Sequence, residues 1–251
     1  MSNALVIIPT YNERENITLI VEAAMALDPD FDLLVVDDQS PDGTADLVVH
    51  QQAIHNVSRE RLFLMRRPGK QGLGTAYLEA FGWALQRDYE VVLQMDADFS
   101  HDPRDLQRLR EACIRDGADL AIGSRYVKGV NVVNWPMGRV LLSWFASAYV
   151  RLISGLPVHD ATAGFVCYKR RVLQTILSSP ERVRFVGYAF QIEMKFLTWK
   201  YGYAIREIPI IFTDRTRGQS KLSAGIFKEA FFGVIRMTVR GWFRKFIPVQ
   251  G

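Results

Sequence analysis

Val91-Val92-Leu93-Gln94-Met95-Asp96-Ala97-Asp98 runs apolar side chains straight into two carboxylates separated by one alanine. The run is short enough for a buried strand and too short for a lone buried helix. Both faces read apolar apart from Gln94, the pattern of a parallel strand covered on both sides. Ligands of open α/β sheets bind beyond the carboxyl ends of the strands, which puts Asp96 and Asp98 at such a mouth. Two close carboxylates repel each other, and a divalent cation removes that repulsion. Magnesium accepts one or two carboxylates and completes its shell from water and phosphate. The pair therefore reads as a metal clamp on a substrate diphosphate, with a solvated strand-end turn as the plain alternative.

Working outward, residues 1–123 repeat one theme. Strands are predicted at Leu5–Ile8, Leu33–Val36, Leu62–Met65 and Asp119–Ile122. Helices are predicted over 13–27, 42–54, 75–86 and 103–115. Strand alternating with helix implies a mainly parallel, Rossmann-type α/β sheet with helices on both faces. After Gly123 the rhythm breaks. A loop is expected over 124–135, a helix over 138–154, a turn and strand over 160–168, a helix over 189–200, a strand over 204–213 and a closing helix over 223–245. The division expected is a catalytic domain at 1–222 and an amphipathic helix at 223–251.

Composition sets bounds. At 49% apolar and 23% charged, the 251 residues can build a sizeable core. Cys113 and Cys167 show no metal spacing, and a reduced, cytoplasmic compartment is the simpler reading. The four histidines form no H-E-x-x-H pattern, so a histidine metal site has little support. No signal-peptide core and no run of about 18 apolar residues is present, so no spanning helix is expected. The net charge of +4 is unevenly placed: residues 221–251 carry +5 and the rest −1. The basic balance belongs to the tail and does not suggest nucleic-acid binding.

Other strand ends also carry chemistry. Pro9-Thr10-Tyr11-Asn12-Glu13 and Asp37-Asp38-Gln39-Ser40-Pro41-Asp42-Gly43-Thr44 fall where a nucleotide would bind. A tyrosine there can stack on a base, and an acid can accept from base or ribose. Asp42 is explained by a turn before a helix, whereas Asp38 has no helix to cap. Lys70-Gln71-Gly72-Leu73-Gly74-Thr75 could cradle phosphate, or be a tight turn with a surface lysine. Arg125 follows the strand at 119–122, and Arg215, Arg217 and Lys221 surround Gly218; such cations suit a diphosphate.

Seven motifs occur in order: Pro9-Thr10-Tyr11-Asn12-Glu13, Asp37-Asp38-x-Ser40-x-Asp42-Gly43-Thr44, Gly72-Leu73-Gly74-Thr75-Ala76-Tyr77, Asp96-Ala97-Asp98-x-Ser100-His101, Gly123-Ser124-Arg125-Tyr126, Gly187-Tyr188-x-Phe190-Gln191-x-Glu193 and Gly218-x-Ser220-Lys221-Leu222. Together they resemble the dolichol-phosphate (polyprenol-phosphate) mannosyltransferases of inverting glycosyltransferase family 2, with a GT-A fold, over residues 4–225. The resemblance implies that GDP-mannose gives its mannose to a polyprenyl phosphate. It implies that Pro9, Tyr11, Glu13, Val36 and Asp38 hold the nucleoside, and that Asp96, Ala97 and Asp98 face diphosphate and metal, Mg2+ or Mn2+. It implies phosphate binding by Arg125, Arg215 and Lys221, with Arg139 a candidate for the lipid phosphate. Some relatives carry Gln where Ser100 stands, a departure beside the metal. No Q-x-x-R-W motif follows Gln191, which favours one sugar per acceptor. The rivals are a UDP-glucose-dependent polyprenyl-phosphate glucosyltransferase and a non-catalytic nucleotide or lipid-phosphate binding protein. The closing helix pairs an apolar stripe with Lys228, Arg236, Arg240, Arg244 and Lys245. It is expected either to lie on the cytoplasmic surface of a membrane or to pack on its own domain.

Overall fold

The computed structural model describes residues 3–27, 31–179, 183–215, 224–243 and 246, with side chains of the last helix from residue 231 onward. The core is a sheet of seven strands in the order β3-β2-β1-β4-β7-β5-β8. Its first half is β1 (Ala4–Thr10), α1 (Ile17–Met25), β2 (Phe31–Asp37), α2 (Thr44–His55), β3 (Leu62–Arg66), α3 (Leu73–Leu85), β4 (Val91–Gln94), α4 (Asp105–Ile114) and β5 (Leu120–Ser124). Strands β1 to β4 are parallel, with Ile7 beside both Leu34 and Gln94.

Alternation along the strands sorts the core into two layers, as the strand period of two requires. Ala4, Val6 and Ile8 pack with α1 and α4, through Ile17, Ile20, Val21, Leu106 and Leu109. Leu5 and Ile7 pack on the other face with Tyr77, Ala80 and Phe81 of α3. The parallel strands are thus covered on both sides, and their polar ends converge at one edge. Cys113 and Cys167, distant in sequence, meet in the first layer as free thiols, with Cys113 Sγ 3.3 Å from the Cys167 carbonyl.

The second half departs from the expected rhythm. The loop after β5 contains β6 (Val132–Val133), followed by α5 (Met137–Ser154), β7 (Val166–Lys169), α6 (Arg170–Ser178), α7 (Phe190–Lys200), β8 (Ile205–Pro209), β9 (Phe212–Thr213) and α8 (Ala224–Trp242). Strand β7 lies antiparallel between β4 and β5. The strand expected over 204–213 is two: β8 pairs with β5, and β9 leaves the sheet to pair with β6. Pro209 ends β8 because it offers no N–H to continue the ladder. Helix α6 was not expected, although Val172, Leu173 and Ile176 are its buried stripe. The first helix starts at Ile17 rather than Glu13: Asn12 has φ 56, and residues 13–16 form a turn closed by Ile17 N–H on the Glu13 carbonyl. No helix among the described residues is long and apolar enough to cross a membrane.

Helix α8 packs on its own domain along one side, as one of the two expectations had it. Val234, Met237 and Thr238 are buried against the domain, while Phe231, Phe232, Ile235, Val239 and Trp242 face outward. It is packed against α5, with the Tyr149 and Phe231 rings stacked at 4.6 Å.

Candidate active site

The loops after β1 and β2 are stitched together. Asn12 N–H donates to Ser40 Oγ at 3.0 Å, Glu13 N–H to Thr44 Oγ1 at 3.0 Å and Arg14 N–H to Asp42 Oδ2 at 3.0 Å. Asp42 also accepts from Thr44 N–H, which makes it the turn residue expected before a helix. Pro9 and Val36 are register partners, and Tyr11 and Glu13 follow at the same mouth. Val36 is fully buried, and its carbonyl accepts from Thr10 Oγ1 at 3.4 Å. Lys70 Nζ sits 4.9 Å from the Tyr11 ring centroid, which brings the basic glycine loop against the tyrosine.

Asp38 is not a lone acceptor. Its carboxylate pairs with the buried Arg67, which also bonds Thr75 Oγ1 at 2.6 Å and Glu79 at 3.1 Å. Burial pushes the Asp38 carboxyl up, and Arg67 opposes that shift. Sequence reasoning missed Arg67; its signal was a cation directly after a strand, before Pro68.

Beyond β4, Met95 N–H still reaches the Ile7 carbonyl at 3.1 Å, and the chain then turns through Phe99 at φ 58. Asp96 is half-buried, and Ala97 and Asp98 are buried. Asp98 Oδ1 accepts from Ser100 N–H at 3.1 Å and from Ser100 Oγ at 2.6 Å. Its Oδ2 stands 3.3 Å from Arg215 Nη2, long for a charge-assisted contact. Ser100 thus serves Asp98 as a donor. Among the described residues no cluster of three or more His, Cys, Asp or Glu side chains could hold a metal alone. Two hard carboxylates, one of them loosely paired, fit a cation that takes its remaining oxygens from phosphate and water.

Arg125 is brought to the same region but is largely engaged. Its Nε and Nη2 each reach Asp160 at 2.7 Å, and Nη2 also reaches Thr162 at 2.8 Å. Burial pushes the Asp160 carboxyl up, but the charge and hydrogen bonds of Arg125 outweigh this and hold it below the usual range. The rings of Tyr126, Trp135 and Phe212 surround the guanidinium at 5.2, 5.6 and 5.5 Å. Arg139 pairs with Asp214 at 2.8 Å and lies 4.1 Å over the Trp135 ring, next in space to the start of the Arg215 loop. Arg217, Gly218 and Lys221 lie outside the described residues. His101 is buried and stacked 4.7 Å from Phe165; burial pushes its ring down to about 4, which keeps it neutral beside Asp98.

Tyr188, just before α7, faces this mouth. Burial and the charges of Asp96, Asp98 and Glu13 push its phenol up, against the pull of Arg215. A cavity of about 230 Å3, lined by Tyr126, Trp144, Ala148, Arg151 and His159, includes none of these carboxylates. It is smaller than ordinary ligand pockets, and the candidate site is the open carboxylate mouth instead.

Two curated relatives are similar along most of the chain. One, a polyprenol monophosphomannose synthase of Mycolicibacterium smegmatis, is 47% identical over 94% of this chain and 87% of its own length. The other, an undecaprenyl-phosphate mannosyltransferase of Micrococcus luteus, is 44% identical over 92% of each. Among solved structures, the fold resembles glucosyl-3-phosphoglycerate synthase from Mycobacterium tuberculosis, in complex with Mn2+, UDP and phosphoglyceric acid. The TM-score is 0.66 at 18% identity, over 100% of this chain and 81% of that one. A mannosyltransferase from Pyrobaculum calidifontis, in complex with GDP-Man and Mn2+, gives 0.57 at 16% identity, over 95% and 73%. Residues 5–177 match the glycosyl transferase family 2 description, and with the relatives this shows that the chain belongs to that family and is a glycosyltransferase.

Proposed function

We propose that this enzyme transfers mannose from GDP-mannose to a polyprenyl phosphate, inverting the anomeric carbon to give a β-mannosyl phosphate. The observation that carries this reading is the 47% identity to a polyprenol monophosphomannose synthase along 94% of the chain. The site geometry supports it. Pro9, Tyr11, Glu13 and Asp38 share one mouth for the nucleoside, with the Val36 and Ala97 backbone beside them. Asp96 and Asp98 would hold Mg2+ or Mn2+. When bound, such a cation supplies charge to neutralise a departing diphosphate.

The acceptor is already an anionic phosphate, so it can attack the sugar carbon without a strong general base. That fits a mouth whose one histidine, His101, is buried and neutral. Arg215 lies against Asp98, where a diphosphate would sit, and Lys221 follows it closely in the sequence as a second cation for the same charge. Arg125 and Arg139 stand on the α5 side, toward the lipid phosphate. The Arg125 Nε and Nη2 groups are spent on Asp160, so its anion contact falls to Nη1. A lipid acceptor calls for reaction at a membrane surface; our reading puts it on the cytoplasmic face, with the outward side chains of α5 and α8 turned to the bilayer.

The test is incubation with labelled GDP-mannose, UDP-glucose or UDP-galactose, magnesium and a polyprenyl phosphate, followed by organic extraction. Label should enter the organic phase from GDP-mannose. Extraction from UDP-glucose alone would make the enzyme a glucosyltransferase, and binding of every donor without turnover would make it a binding protein.

A further inference from the structure

The segment Gly187-Tyr188-Ala189-Phe190-Gln191-Ile192-Glu193 has a recognisable pattern but no task in the reaction above. Four contacts fix it. Glu193 Oε2 accepts from the backbone N–H groups of Arg184 at 2.7 Å and Phe185 at 2.8 Å. The Val186 carbonyl accepts from Gly74 N–H at 2.7 Å. A Cβ at Gly72 would lie 2.5 Å from the Val186 side chain, and one at Gly74 2.6 Å from the Phe185 carbonyl, so the glycine loop is pressed onto this segment. Gln191 Nε2 donates to Gln94 Oε1 at 2.9 Å, bolting the first turn of α7 to the strand that feeds Asp96. Next to it, Phe190 stacks on Tyr77 with centroids 5.8 Å apart.

Held between these anchors, the exposed Tyr188 lies near enough to Asp96, Arg215, Asp98 and Glu13 for their charges to act on its phenol. Its phenol is a hydrogen-bond donor in a ring of groups suited to a metal diphosphate. On the opposite side of the segment, the Phe185 ring fills a notch in α8: a Cβ at Gly233 would lie 2.2 and 2.4 Å from two of its ring atoms. Gly233 adjoins Phe231, Phe232 and Ile235, which point outward.

We propose that Tyr188 is a substrate-contacting residue whose hydroxyl donates to the diphosphate of the sugar donor, and that Phe185, seated at Gly233, sets its position from α8. The assignment rests on the glycosyl-transfer reading above and extends it. A donor aimed at the leaving diphosphate helps most as charge develops there, so its loss falls on kcat more than on KM.

The experiment uses the full chain with Tyr188→Phe, Gly233→Ala, Phe185→Leu and the Tyr188→Phe/Gly233→Ala double variant. Tyr188→Phe should lower kcat on the order of 10²-fold with little change in KM. Gly233→Ala should lower kcat in the same sense by displacing Phe185, and should cost little more once Tyr188→Phe is present. Phe185→Leu, which loosens the same link without crowding, covers the case in which Gly233→Ala fails to fold; it should also lower kcat. Wild-type kcat in Tyr188→Phe overturns the contact. Independent, multiplying losses in the double variant, or wild-type kcat in Phe185→Leu, overturn the link to α8. A second readout does not depend on turnover: adding Mn2+ and GDP should produce a tyrosine difference spectrum that is smaller in Tyr188→Phe than in the wild type, Tyr11 contributing to both. If no sugar donor is turned over, the functional reading fails while this spectrum still decides the contact; an identical spectrum in both proteins overturns it.

Discussion

Asp98 spends one oxygen on its own loop and leaves the other facing Arg215. An Asp98→Asn change keeps an oxygen to accept from Ser100, so the turn and the fold should survive. It removes the charge that would face a cation, and turnover should fall on the order of 10³-fold at saturating magnesium. Unchanged circular dichroism with near-normal turnover would refute the metal role. Lys195 makes a different prediction. It is fully buried, donates to the carbonyls of Ala163 at 2.6 Å and Gln191 at 3.1 Å, and burial pushes it down from 10.5 to about 7. The unfolded lysine keeps its proton up to 10.5 and the folded one only to about 7. Between those values the unfolded state binds more protons, so stability rises with pH, and below about 7 the burial penalty is present in full. Lys195→Met abolishes that slope. Wild-type minus variant stability, from urea unfolding at a series of pH values, should climb by ~1.4 kcal/mol per pH unit across the window.

Helix α3 carries two glycines with opposite prospects. Gly74 has the Phe185 carbonyl 2.6 Å from where a Cβ would stand, whereas Gly82 has nothing within 4 Å. Gly74→Ala should therefore destabilise by about 1–3 kcal/mol. Gly82→Ala should stabilise by up to about 1 kcal/mol, because alanine costs less entropy in a helix interior. Chemical denaturation of the two variants checks both signs together. The elements that the sequence shows clearly are those whose signal lies within a few consecutive residues. Strands β1 to β4 announce themselves as apolar runs ending in polar turns, and Asp96 and Asp98 were legible for that reason. What escaped depends on partners far along the chain. Asp38 looked unattached because Arg67 arrives with the next strand. Arg125 looked available because Asp160, which fixes it, lies 35 residues on in a segment without periodicity. The antiparallel course of β7 has no local signature, since a buried strand reads alike in either direction.

At the scale of the molecule, α5 and α8 present a shared apolar surface. Leu142, Phe145 and Leu152 from α5 join Phe232, Trp242 and Phe243, each at least half exposed. Arg236 and Arg240 belong to the same helix, α8. Aromatic side chains with basic neighbours suit an interface with anionic lipid. Wild-type protein should float with liposomes, more as anionic lipid is raised and less at high salt. A Phe145→Ser/Trp242→Ser/Phe243→Ser variant should stay in solution with its fold and its binding of GDP-mannose intact. Equal flotation of the two would show that this face is not the docking surface. The placement of β7 has a consequence for how the protein is made. Strand β5 touches the sheet only through β7 and β8, and β4 gains its second neighbour only from β7. A nascent chain that has left the ribosome as far as Ser124 therefore holds a four-stranded sheet with an open edge at β4, and a hydrophobic fifth strand with no place to go. Until residue 169 emerges, β4 lacks its native second partner, and that unpaired edge is the part of the sheet open to wrong pairing.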